Sequence, residues 1–438
     1  MSQSVTFIAS PSSLLSGKLR VPGDKSISHR SIMFGSLADG ITRVHGFLDG
    51  GDCLATLNAF RAMGVEIEGP EQGEVVIHGV GIDGLKAPAT TLDMGNSGTS
   101  MRLMTGLLSG QAFDSTLVGD RSLMSRPMRR VTDPVQTMGA DVAIAEAGNA
   151  PISIKGGARL KGIDYHLPVA SAQVKSCVLL AGMYASGNTC VTEPAPTRDH
   201  TERMLRGFGY EVENPAPGKV CLSGGGRLTA TEIDVPADIS SAAFFMVGAS
   251  IAAGSEIVLQ HVGMNPTRTG VIDILRLMGA DITLSNECEV GGEPVADICV
   301  RAAALKGIQI PAALVPLAID EFPAIFVAAA CAEGQTVLTG AEELRVKESD
   351  RIQVMADGLQ TLGVTAEPTP DGIVIEGGNG FGSGEVESHD DHRIAMAFAM
   401  AALRATGEIT INNCANVDTS FPNFATLANS AGLHLEIQ

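Results

Sequence analysis

Six times along the chain a polar start gives way to an apolar stretch with helical spacing, and each stretch runs out near a glycine: Gly40, Gly110, Gly187, Gly254, Gly334 and Gly407. Glycine is a natural helix stop there, because it accepts the left-handed backbone that ends many helices. Directly after each comes a short β-branched run, such as Ile41-Thr42-Arg43-Val44, Thr189-Cys190-Val191-Thr192 or Ile409-Thr410-Ile411, which predicts a strand. A polar loop and a second amphipathic stretch follow, ending at Gly64, Gly139, Gly209, Gly279, Gly363 and Gly432. A further strand begins there, as in Val65-Glu66-Ile67 or Asp281-Ile282-Thr283. The whole pattern therefore recurs about every 70 residues.

Units of that length that alternate strand and helix are too long for a common solenoid and predict compact α/β modules grouped into domains. Three units per domain match the usual domain size in a chain of 438 residues. The seam is expected near Val235-Pro236, where proline and a polar turn interrupt the pattern, and the first strand, Leu19-Arg20-Val21, can belong to either domain.

Composition narrows the function classes. A hydrophobic content of 45% supplies large cores, while a net charge of -19, no Trp and three Tyr argue against nucleic acid. An anionic ligand must then be held by locally clustered Lys and Arg. The eight cysteines, with no CxxC pair, predict reduced and mostly buried thiols rather than a zinc site or a disulfide framework. Met1-Ser2-Gln3-Ser4-Val5 does not read as a leader, and no apolar run approaches the roughly 18 residues that span a bilayer, so a cytoplasmic protein is expected.

The helix starts carry the candidate chemistry. In Gly23-Asp24-Lys25-Ser26-Ile27-Ser28-His29-Arg30 a strand hands over to a helix that Ser26 or Ser28 can cap, and the amides of that first turn favour an anion. The first three units each carry a cation one turn beyond the start: Ser26 to Arg30, Gly98 to Arg102 and Ser171 to Lys175. The last three start on Asp238, Asp320 and Asp391 and have alanine at that place (Ala242, Ala324, Ala395). One half is thus patterned for anions and the other for carboxylate chemistry, although aspartate is also an ordinary cap. Arginines recur in the loops at 120–127 and 197–200 and in Arg345-Val346-Lys347-Glu348-Ser349-Asp350-Arg351, a run that opens a second helix or forms a solvated ion-paired face. Gly79-Val80-Gly81-Ile82-Asp83-Gly84 fits GxGxxG but leads into Leu85-Lys86-Ala87-Pro88, which reads as a turn. His392 beside Asp390 and Asp391 has no second histidine at ligand spacing, so no metal is expected.

These residues together resemble the 5-enolpyruvylshikimate-3-phosphate (EPSP) synthase family. The likeness rests on Gly23-Asp24-Lys25-Ser26 with Arg30, Gly95-Asn96-Ser97-Gly98-Thr99 with Arg102, Ser171-Ala172-Gln173-Val174-Lys175, Arg198-Asp199-His200-Thr201-Glu202, Asn265-Pro266-Thr267-Arg268, the 345–351 run and Asp391-His392-Arg393, and it covers the chain. Three of these signatures, at 171–175, 198–202 and 265–268, resemble the class II branch. The resemblance implies an α/β, two-domain enolpyruvyl transferase fold, each domain three βαβαββ units in an inside-out α/β barrel, closing over substrate at an interdomain cleft. The N-terminal domain would be 23–236, mainly binding shikimate 3-phosphate. The C-terminal domain would be 1–22 with 237–438, binding phosphoenolpyruvate and carrying the acid and base.

The implied reaction moves the enolpyruvyl group of phosphoenolpyruvate to the 5-hydroxyl of shikimate 3-phosphate, releasing phosphate, with no metal or organic cofactor and in a monomer. Two phosphates and two carboxylates bring together roughly five to six negative charges, which helix ends and arginines would offset. By the resemblance Lys25, Ser26, Arg30, Ser171, Ala172, Gln173, Arg198, Asp320 and Lys347 hold shikimate 3-phosphate. Lys25, Asn96, Gly98, Arg126, Gln173, Arg351 and Arg393 hold phosphoenolpyruvate. Glu348 would deliver a proton to the methylene carbon and Asp320 remove one from the 5-hydroxyl, with Lys25 assisting. Ala172 and Thr419 depart from the class I pattern, which has serine and lysine there. UDP-N-acetylglucosamine enolpyruvyl transferase shares fold and donor, but its motif has asparagine where this chain has Ser26, and no cysteine lies between Asp120 and Arg126. A non-catalytic anion-binding scaffold is the remaining alternative. The family is inhibited by glyphosate, which is slightly longer than phosphoenolpyruvate. The class II signatures imply tolerance, whereas the absent methyl at Gly98 implies inhibition, which is the expectation here.

Overall fold

The computed structural model describes residues 5–438. Its recurring element is a helix end. The six glycines that close each repeat all have positive φ, from 80° at Gly209 to 117° at Gly432. Each donates its N–H to the carbonyl three residues back, while the next residue donates to the carbonyl five back: Gly64 N to Arg61 O (3.0 Å) with Val65 N to Phe60 O (3.1 Å), and Gly363 N to Gln360 O (3.0 Å) with Val364 N to Leu359 O (2.9 Å). This doubly bonded stop satisfies the orphan carbonyls of the helix and turns the chain into the next strand. A side chain at these positions would strain the backbone, which is why the period is visible in the glycines.

The chain forms two compact units, one of residues 23–235 with 290–293, the other of 1–22, 236–289 and 294–438. The first contains α1 (Lys25–Leu37), α2 (Gly51–Ala62), α3 (Gly98–Ser109), α4 (Arg121–Ser125), α5 (Arg129–Thr137), α6 (Ala172–Gly182) and α7 (His200–Gly207). The second contains α8 (Ile239–Ile251), α9 (Gly270–Leu277), α10 (Phe322–Cys331), α11 (Arg351–Thr361), α12 (His392–Ala401) and α13 (Phe424–Ala431). Each unit has three small sheets of three to five strands, all mixed except the antiparallel sheet of Gly334–Leu338, Gly372–Gly377 and Thr365–Thr369, and none of the six sheets described closes on itself. The N-terminal segment completes two sheets of the second unit: Phe7–Ser10 lies antiparallel between Ile409–Asn412 and His434–Ile437, and Ser16–Leu19 runs parallel to Glu256–Gly263.

In each unit three helices are buried on nearly every face: α1, α3 and α6 in the first, α8, α10 and α12 in the second. Apolar and small residues all round such a helix suit a position inside a core rather than on its surface. Gly106 shows how close they come, because a Cβ there would lie 2.0 Å from Cys177 O, so α3 and α6 pack almost backbone to backbone. Each unit has its own continuous apolar core around these helices.

Four local expectations are corrected. Asp24, not Ser26 or Ser28, caps α1, accepting from Ile27 N at 2.9 Å, because Ser26 and Ser28 already lie inside the first turn. The residue preceding α10 is Glu321, one beyond Asp320, so Asp320 stands outside the helix as a loop side chain. Gly40 and Gly334 fall within strands rather than at helix stops, since α1 and α10 already end at Leu37 and Cys331. The cysteines are not all reduced: Cys190 and Cys221 face each other across the antiparallel strands Asn188–Thr192 and Lys219–Ser223 and form a disulfide. Strand register brings that pair together, and no spacing motif announces it.

Candidate active site

In the first unit the starts of α1, α3 and α6 carry the polar cluster. Lys25, the first residue of α1, places Nζ 2.9 Å from Asp52 on α2. Ser97 caps α3 and Ser171 caps α6, accepting from Ser100 N (3.1 Å) and Val174 N (3.4 Å). Gln173 joins the last two helices: its Oε1 accepts from Arg102 Nη1 at 2.6 Å and its Nε2 donates to Thr99 at 3.0 Å. Asn96 accepts from Arg126 Nη2 at 2.9 Å and donates to Asp120 at 2.7 Å. Gly98 lies under both guanidiniums, because a Cβ on it would sit 3.0 Å from Arg102 Nη1 and 3.2 Å from Arg126 Nη1. Asn96, Gly98, Arg126 and Gln173 are therefore neighbours.

The three cations placed one turn into these helices do not project into solvent. Arg30 is buried and donates from Nε to Thr201 (2.7 Å), from Nη1 to Ser26 O (2.9 Å) and from Nη2 to Ser176 (2.9 Å), tying α1 to α6 and α7. Burial pulls it down to about 10, against Glu202 and Asp24, which favour its charge. Lys175 is held by Glu202 at 2.8 Å and Glu193 at 3.1 Å. Burial opposes its charge, but the two carboxylates prevail and its pKa is raised. Arg198 stands half-buried in the loop before α7, where the neighbouring Asp199 accepts from Arg203 at 2.9 Å and His200 Nδ1 lies 2.7 Å from Glu293.

In the second unit Arg351, the first residue of α11, is the centre. Its side chain is 1% exposed and reaches three carboxylates: Asp391 at 2.8 Å, Glu348 at 2.5 Å and Asp320 at 3.4 Å. Burial disfavours the charge of the guanidinium, but Asp391 and Glu348 outweigh it and raise its pKa. Lys347 adds a second cation 3.3 Å from Asp320, and Arg393 donates to the Asp320 carbonyl at 3.1 Å. Asp391 also caps α12 and accepts from Ser349 at 3.0 Å. Asp320 in the loop before α10, Lys347 and Glu348 in the segment leading into α11, Arg351 at its start and Arg393 in the first turn of α12 are thus brought together. A second buried network lies nearby in the same unit: Arg268 donates to Asp238 at 2.9 Å and to Ser240 at 2.6 Å, and Ser240 donates to Glu321. Among the described residues no three His, Cys, Asp or Glu side chains are grouped to hold a metal ion.

Several partners are absent from the sequence reading. Asp52, Asp120 and Glu321 sit on ordinary polar positions and nothing local marks them. Asp391 is visible as a helix start, but not as a ligand of Arg351. Thr419, at the lysine position of class I, uses its hydroxyl within its own turn, donating to Asn416 O at 2.7 Å.

Residues 9–427 match the family profile described as EPSP synthase (3-phosphoshikimate 1-carboxyvinyltransferase). A 3-phosphoshikimate 1-carboxyvinyltransferase from Methylococcus capsulatus is 68% identical over 433 residues, covering 99% of both chains. One from Alkalilimnicola ehrlichii is 69% identical, covering 98% of this chain and 96% of its own. Among solved structures, an EPSP synthase from Acinetobacter baumannii superposes with a TM-score of 0.89 at 61% identity over the full length of both.

Proposed function

The chain belongs to the EPSP synthase family, and we infer from that membership that it transfers the enolpyruvyl group of phosphoenolpyruvate to the 5-hydroxyl of shikimate 3-phosphate and releases phosphate. Glu348 protonates the methylene carbon, Asp320 takes the proton of the 5-hydroxyl as that oxygen attacks C2, and Lys25 stabilises the phosphate. Loss of a proton from the new methyl group and departure of phosphate complete the addition and elimination.

Shikimate 3-phosphate is held by Lys25, Ser26, Arg30, Ser171, Ala172, Gln173, Arg198, Asp320 and Lys347. Arg30 suits this role despite its burial: three of its N–H donors are used, leaving one on each terminal nitrogen for a planar carboxylate. Phosphoenolpyruvate is held by Lys25, Asn96, Gly98, Arg126, Gln173, Arg351 and Arg393. When its carboxylate reaches Arg351 it competes with Glu348, which is then released toward the reacting carbon. The protein acts as a cytoplasmic monomer in this reading, which sedimentation of the purified chain tests.

The observation that carries the mechanism is the pair Asp320 and Glu348 on one buried guanidinium, with Lys347 beside it: two carboxylates held apart in position by cations. A phosphate-release assay with phosphoenolpyruvate tests the reading. Release should depend on shikimate 3-phosphate. Dependence on UDP-N-acetylglucosamine instead, or on no acceptor at all, would contradict it.

A further inference from the structure

His29 lies on α1 one turn beyond Lys25, is wholly buried, and has no part in the steps above. Its imidazole reaches two further helices. Nδ1 is 2.8 Å from Thr56 Oγ1 on α2, and Thr56 Oγ1 is 2.6 Å from Ser100 Oγ on α3. Ser100 Oγ donates to Ser97 Oγ at 2.7 Å, and Ser97 Oγ is 3.5 Å from His29 Nε2. Four side chains thus close a ring, and all four are buried, so water does not compete for their protons.

The ring has one consistent proton arrangement once Ser100 donates to Ser97. Thr56 then donates to Ser100, His29 Nδ1–H donates to Thr56, and Ser97 donates to Nε2. Every group gives one proton and receives one, which requires a neutral imidazole. An imidazolium would aim a second N–H at Ser97 and leave that hydroxyl proton without an acceptor in the ring. Burial, then the charges of Lys25 and Arg30, hold the imidazole pKa well below its ordinary value, against the weaker pull of Asp24. Ser97 is also the cap of α3, accepting from Ser100 N at 3.1 Å, and the next residue is Gly98.

Resting on the reading that Lys25 and Gly98 hold phosphoenolpyruvate, we propose that His29 is a positioning residue: its hydrogen-bonded ring with Thr56, Ser100 and Ser97 locks the first turn of α3 onto the first turn of α1 and sets the spacing of the phosphoenolpyruvate contacts. Such a residue acts on affinity for one substrate and leaves the proton transfers alone. A ring also fails as a unit, so breaking it at two points costs little more than breaking it at one.

The test is steady-state kinetics on His29→Leu, His29→Gln, Thr56→Val and the double variant His29→Leu with Thr56→Val, beside thermal melts. His29→Leu and Thr56→Val should each raise KM for phosphoenolpyruvate about tenfold, with kcat and KM for shikimate 3-phosphate within about threefold of the unsubstituted protein. The double variant should match the single ones, and His29→Gln, whose amide both donates and accepts, should recover most of the loss. If His29→Leu does not fold, Thr56→Val, a hydroxyl-to-methyl exchange of the same shape, carries the test with His29→Gln. Lower melting temperatures with an unchanged KM for phosphoenolpyruvate, or additive effects in the double variant, would overturn the proposal while leaving the functional reading intact. Absence of turnover in the unsubstituted protein would overturn the functional reading and this proposal with it.

Discussion

Replacing Gly98 by alanine adds one methyl group at the start of α3, 3.0 Å from Arg102 Nη1 and 3.2 Å from Arg126 Nη1. Gly98 is not among the positive-φ residues, so the backbone accepts alanine, and its helix propensity should hold or improve stability. The strain falls on the guanidiniums. Arg102 is held by Gln173 at 2.6 Å and Arg126 by Asn96 at 2.9 Å, so each must yield by a few tenths of an ångström or the bound ligand must. Overpacking of this kind costs about 1–3 kcal/mol, and the low end applies because the obstructed atoms are side-chain tips. About 1 kcal/mol corresponds to roughly a fivefold rise in KM for phosphoenolpyruvate. Glyphosate, being longer, meets the methyl more directly, and its inhibition constant should rise by more than about tenfold. Initial rates at saturating shikimate 3-phosphate, with phosphoenolpyruvate and glyphosate varied, give both constants, and a melt checks the fold. Equal rises in the two constants, or full resistance in the unsubstituted protein, would refute the steric argument and shift attention to Thr419.

Glu348→Gln keeps an acceptor for Arg351 but removes the titrating group, and should lower kcat by about 100-fold or more with substrate binding near normal; ordinary turnover would remove Glu348 from the mechanism. His29 binds its proton more weakly folded than unfolded, so its contribution to stability is complete above about pH 6.5 and declines as pH falls below that. Denaturant midpoints between about pH 5 and 6.5 should therefore fall more steeply in the unsubstituted protein than in His29→Gln, and parallel curves would show that His29 does not bear that linkage. Lys175→Met strands Glu193 and Glu202 without their cation and should cost about 3–5 kcal/mol in equilibrium unfolding, most of it recovered by adding Glu202→Gln; a loss under about 1 kcal/mol would mean the two carboxylates find other compensation.

The periodic parts of the fold were legible because backbone chemistry enforces them. Gly64, Gly139, Gly209, Gly279, Gly363 and Gly432 hold conformations that side chains resist, so the repeat shows in the sequence wherever the helix stop is needed. Helix starts were legible only to within a few residues, since Asp24 and Asp320 are as good on paper as Ser26 or Glu321 until the first turn is placed. What local pattern misread is what distant residues decide. Lys175 reads as a cation one turn into an anion-binding helix, but Glu193 and Glu202 arrive from elsewhere to neutralise it. The pairing of Arg351 with Asp391, the ring through His29 and the Cys190–Cys221 bond all depend on which elements become neighbours, and no spacing within the chain encodes that.

The central claim is that Glu348 protonates the methylene carbon of phosphoenolpyruvate and that elimination then restores the double bond. Protonation turns a methylene into a rotating methyl group, and elimination removes any one of its three hydrogens, so in heavy water a fraction of the vinyl groups must retain solvent deuterium. Mass spectrometry of the product formed in heavy water tests this directly. The account predicts deuterium on the methylene carbon, appearing in Glu348→Gln only as slowly as its residual turnover. Product formed at an ordinary rate with a fully protiated methylene would contradict it.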